Sequence, residues 1–88
     1  MDQQIIRDQY IKRIRDKEEI FGRMILDERL SIPDLVIIAI KYSNEIIQQA
    51  TYQNRLLGEH QKEYLTEARR ISDRFHNWSE YIQSTRNS

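Results

Sequence analysis

The chain has no cysteine. Disulfide scaffolds, thiol nucleophiles and Cys-ligated metals are thereby excluded. One proline and two glycines stand among its 88 residues, too few glycines to build a loop that cradles phosphate. The net charge is zero, and each third of the chain is neutral by itself: seven basic and seven acidic side chains in residues 1–30, two and two in 31–58, five and five in 59–88. Nucleic-acid binding usually leaves a basic face or tail, because phosphate neutralisation supplies much of the affinity. No third carries such an excess. The opening MDQQIIRDQY lacks the apolar stretch of a signal peptide. The longest apolar run is six residues, far short of the ~20 that span a bilayer. A cytoplasmic, intracellular protein without a membrane partner is expected. In that setting Asn77-Trp78-Ser79 matches the glycosylation triplet by chance.

What is present is helix-forming. Hydrophobic residues make up 39% and charged residues 32%. That much Ile, Leu and aromatic content separates the chain from disordered sequences. A chain of this length makes one domain, residues 1–88. It buries only about two-thirds of its unfolded surface, so association with a partner would add stability.

The apolar centre is Asp34 to Ile47, DLVIIAIKYSNEII, in which Leu35 to Ile40 are uninterrupted. The β-branched residues Val36, Ile37, Ile38 and Ile40 raise strand propensity, and periodicity alone does not exclude a buried strand. Helix is favoured because Ser31-Ile32-Pro33-Asp34 supplies a Ser N-cap, a Pro in the first turn and an acid at the third position. No other segment reads as a strand to pair with it, and a lone strand is unstable.

Three helices are expected, at about 2–29, 33–57 and 59–85. Asp2 caps the first, and Ile6, Tyr10, Ile14, Phe21, Met24 and Ile25 recur at steps of three and four. Asp8 with Lys12 and Glu19 with Arg23 have the spacing of helical ion pairs. Arg15 to Glu19 interrupts the apolar stripe, so either long side-chain stems cover the seam there or the helix bends. Without Gly or Pro at the gap, one continuous helix is expected. Pro33 disfavours helical geometry at Ile32, which places a tight turn at Leu30–Pro33.

Gly58 suits a helix C-terminus. Yet a three-four register runs through it unbroken: Val36, Ile40, Ser43, Ile47, Ala50, Asn54, Leu57, Gln61, Tyr64, Ala68, Ile71, Phe75, Trp78, Ile82. Two all-α architectures follow. If the chain turns at Gly58, the three helices have nearly equal lengths and suit an up-down-up bundle. If it does not, residues 33–85 form one long helix, a helical hairpin whose uncovered seam implies a coiled-coil dimer. The bundle is the expectation and the coiled-coil dimer its alternative.

Candidate sites are few. Tyr64, Phe75 and Trp78 fall on the seam and read as core. Tyr81 lies beside it, where partial exposure would make it a partner contact. Arg69, Arg70 and Arg74 form a local basic cluster for a phosphate or an acidic partner, or simply a solvated face answered by Glu67 and Asp73. Asp73, His76 and Glu80 share a face, but one helix supplies all three, and a carboxylate-bridged metal site needs ligands from several. No metal and no cofactor are expected. Helices this long and even do not suit a helix-turn-helix.

Arg70 to His76, RISDRFH, resembles the Arg-x(4–6)-His signature of small helical nucleases over seven residues. That resemblance implies an Arg and a His acting together on an RNA backbone across a dimer. No other nucleophile–base set is present. The residues favour a non-catalytic interaction module that binds a protein, its own copy or both. Its expected contact residues are Ile37, Ile38, Arg69, Arg70, Arg74, Trp78 and Tyr81. A nucleic-acid-binding regulator using the Arg face, and then a ribonuclease, are the alternatives. Ile37 and Ile38 point to a second chain, because a three-helix monomer has difficulty covering them.

Overall fold

The Ser31–Asp34 box is the clearest boundary in the molecule. The Ser31 hydroxyl accepts from the Asp34 amide, and the Asp34 carboxylate accepts from the Ser31 amide. Each side chain satisfies a backbone donor that the first helical turn leaves free. In the computed structural model, which describes residues 2–87, this box separates α1 (Gln3–Ile25) from α2 (Ile32–Gln53). Two short 3-10 turns follow, Asn54–Leu56 and Gly58–His60, then α3 (Gln61–His76) and α4 (Trp78–Arg86). Among the described residues every regular element is helical.

Asp2 caps α1 as its sequence position suggests, accepting from the Gln4 amide at 2.9 Å. The helix stops at Ile25 instead of 29. The Asp27 carboxylate takes the backbone amide and guanidinium of Arg29, and the Leu30 amide bonds to the Asp27 carbonyl. A local turn thus competes successfully with another helical turn. The gap at residues 15–19 leaves α1 unbroken, because its long side chains reach the neighbours. Lys17 lies over the Tyr42 ring and bridges to Glu45 at 2.9 Å. Arg15 bridges to Glu67. Glu19 pairs with Arg23, whereas Asp8 pairs with Arg7 and Lys12 with Asp16.

The chain turns at residues 54–60. α2 ends at Gln53, not 57, and Gly58 takes φ +52°. That left-handed geometry is open to glycine and costly for other residues. Residue pairs show how the arms lie. Tyr10 meets Tyr64 and Phe21 meets Phe75, and Arg86 donates to the Ile25 carbonyl. Numbers along α1 and along α3–α4 therefore rise together. Tyr42 meets Phe21 and Gln53 bonds Tyr64, so α2 runs against both.

The expected third helix, 59–85, is broken. Asn77, at φ −89° and ψ 46°, leaves helical geometry and starts α4. The kink swings Tyr81 onto α1, where its hydroxyl donates to the Glu18 carbonyl at 2.7 Å, and Ile82, next to it in sequence, is buried as well. Trp78 is left half-buried at the rim of the core. Phe21 stands at the centre, fully buried, with Phe75 and Tyr81 edge-to-face at 5.1 and 5.2 Å, a favoured geometry for aromatic pairs.

The register of α2 also differs from the expected seam. Leu35, Ala39, Ser43, Ile46 and Ala50 face inward, while Ile40 and Ile47 face out. α2 is apolar on several sides, and its inward face is the one with small residues. Ala39, Ser43 and Ala50 let it approach α3 closely, since interaxial distance is set by the side chains at the contact. On α3 and α4 the seam members Tyr64, Ala68, Ile71, Phe75 and Ile82 are buried as expected.

Candidate interaction surface

α2 has more large aliphatic side chains than one core face accommodates. The surplus lies on its outer side: Ile37, Ile40 and Ile47 are 67%, 48% and 47% exposed. With Asn44 between them they stand at i, i+3, i+7 and i+10, a single stripe along the helix. Beside it an open groove of about 280 Å³ runs between α2 and α3. Ile47, Ala50, Leu65 and Ala68 line it, with Arg69 and Asp73 on its α3 side.

The expected contact residues divide. Ile37 belongs to the stripe. Ile38 does not, because it is half-buried against the core. Tyr81 is only 4% exposed. Its ring lies under the Arg74 guanidinium at 4.1 Å, and burial raises its hydroxyl pKa. The partial exposure expected of it assumed a straight helix through Asn77. Trp78 packs at the edge of the core.

The arginine cluster is split. Arg70 and Arg74 turn towards α1, where Glu18 receives both at 3.4 and 2.9 Å. Glu67 bonds Arg70 at 2.6 Å and Arg15 at 3.2 Å. The Arg70 hydrogen bond holds the Glu67 carboxyl below its ordinary value, and Glu67 raises Arg70 in return. These charges are already answered within the chain. Arg69 alone of the three lines the groove.

The two ends of RISDRFH do not converge. Arg70 faces α1, whereas the His76 ring meets the Ser43 hydroxyl of α2 at 3.3 Å, next to the buried Ser43–Ser72 pair at 3.1 Å. Six residues on a helix turn through about 600°, which leaves the pair on different sides. Among the described residues no three His, Asp or Glu side chains gather as metal ligands. No helix there is long and apolar enough to cross a membrane.

Ile40 and Ile47 were missed from sequence because their spacing continues the seam of α3. The signal that would have found them is the parallel row of small residues, Ala39, Ser43 and Ala50, which marks the close-packed face. Compared with known proteins, the chain matches no family model, no curated protein and no solved structure.

Proposed function

We propose that this chain is a non-catalytic helical interaction module that binds another protein, a second copy of itself, or both, through the outer face of α2. The observation that carries this reading is the stripe of Ile37, Ile40 and Ile47, left in solvent although the core is filled by other residues. Large aliphatic side chains grouped on one exposed face mark contact surfaces. A groove between two helices is a recurrent seat for an amphipathic helix.

The scaffold we propose is an up-down-up bundle, with α4 prolonging the third arm past its kink. The rising and falling order of the residue pairs supports it. A cytoplasmic setting is part of the proposal, supported by the complete lack of cysteine. The mechanism proposed is burial of an apolar face, without a cofactor or metal.

Immobilised wild-type protein and an Ile40→Asp variant test the reading side by side, against the chain itself and against extract of its native host. Ile40 is half exposed, so the substitution leaves folding intact. Loss of the bound protein in the variant, at unchanged melting temperature, is the expected result. Equal capture by the two proteins would refute the assignment.

A further inference from the structure

We propose that the α2–α3 face packs against a second copy of this chain, antiparallel about a two-fold axis. The inference rests on reading the outer face of α2 as an interaction surface. The groove's charges select the occupant. Arg69 and Asp73 stand one helical turn apart on α3, both exposed on the groove side. Neither has an ion-pair partner among the described residues. They lie symmetrically about Ile71. A two-fold rotation that reverses the helix direction therefore sets each Arg69 opposite the other copy's Asp73, and one operation forms two ion pairs. A foreign helix would need both charges in the reverse order and in register. A second copy has them by symmetry.

The same axis fits α2. Ser43 and Ser72 meet at 3.1 Å and mark one level on the two helices. An axis passing α3 at Ile71 thus crosses α2 at Asn44. There Asn44 faces its own symmetry mate, and a carboxamide is both donor and acceptor, so the two satisfy each other. Ile40 of one copy comes opposite Gln48 of the other, whose exposed methylenes it can cover. α3 has 16 residues, about 24 Å at 1.5 Å each, and two helices side by side span about 20 Å. That face, about 480 Å² per copy, falls below the roughly 1,200 Å² total of stable interfaces and in the range of transient ones, so a weak, concentration-dependent dimer is expected.

The native chain lacks cysteine, so a single Asn44→Cys substitution reports the axis directly. Oxidation should join two Asn44→Cys chains rapidly, while the Lys12→Cys variant, altered at an exposed position on α1, should cross-link slowly. In sedimentation equilibrium Arg69→Glu and Asp73→Arg should each weaken association about tenfold, and the double reversal should restore it. A wild type that stays monomeric, an Asn44→Cys variant that cross-links no faster than Lys12→Cys, or a double reversal as weak as the singles would each overturn the inference. The capture experiment keeps the two readings apart. If the wild type is monomeric but Ile40→Asp loses a host protein, only the second-copy inference fails. If that capture is also unchanged, the interaction reading fails with it.

Discussion

Gly58→Ala separates a turn from a continuous helix by the sign of its effect. In the turn, Gly58 has φ +52°. Alanine in left-handed geometry costs roughly 1–2 kcal/mol. Its stiffer unfolded chain returns about 0.4–1 kcal/mol. The new Cβ would lie 3.0 Å from the Gln3 side-chain oxygen, the end of a flexible, exposed side chain that can move aside. The net is a destabilisation of up to about 1.6 kcal/mol, or a melting temperature lower by as much as roughly 13 °C for a domain this size. In one long helix the balance reverses, because Ala is favoured over Gly in a helix interior by about 0.8–1.0 kcal/mol. Thermal unfolding followed by circular dichroism reads the sign. D-alanine at position 58, placed by chemical synthesis, fits positive φ and should raise the melting temperature. A Gly58→Ala protein more stable than wild type, with D-alanine destabilising, would refute the turn.

Further outcomes follow from the core and its charges. Phe21→Ala removes the ring that Tyr42, Phe75 and Tyr81 surround. It should cost about 3–5 kcal/mol, against roughly 4–13 kcal/mol expected for the whole domain, and denaturant titration should show at least about a quarter of the stability gone. Burial pushes the Tyr64 hydroxyl up to about 12 from its ordinary 10. Its folded pKa lies above its unfolded one, so its contribution is complete below pH 10 and is lost as pH rises towards 12. The loss amounts to roughly 2–3 kcal/mol, and Tyr64→Phe should flatten that part of the curve. The hydrogen bonds from Arg70 to Glu67 and from Lys17 to Glu45 lower those carboxyls. Their contribution is present above the ordinary value of 4.5 and disappears as pH falls below it, so Glu67→Gln should show a shallower acid limb.

Much of the fold was legible because some residues allow a single backbone solution. Ser31, Pro33 and Asp34 can hardly be read otherwise than as a helix start, and Asp2 is similar. Gly58 was ambiguous in sequence, since an apolar register passed straight through it. Only the packing of α2 on α3 resolves it. The break at Asn77 was not legible. Trp78 and Ile82 both kept helical spacing with Phe75, and nothing in the pattern announced that Tyr81 would rotate into the core. The site was half legible. Ile37 stands out in the sequence as an apolar residue in excess of what a small bundle covers, and it is exposed. Ile40 and Ile47 were hidden because α2 offers two apolar faces. The choice between them fell to Ala39, Ser43 and Ala50, whose small size matters only when α3 is opposite. Arg69, Arg70 and Arg74 are close together in the chain, but Glu18, more than fifty residues away, claims two of them.

Everything proposed for the molecule turns on whether the outer isoleucines of α2 serve contact instead of folding. Sedimentation equilibrium of the wild type beside the triple variant Ile37→Gln, Ile40→Gln, Ile47→Gln measures this most directly. The wild type should associate with rising concentration, and the variant should remain a folded monomer throughout. The same mass for both proteins at every concentration, together with equal capture of host protein by the two, would contradict it.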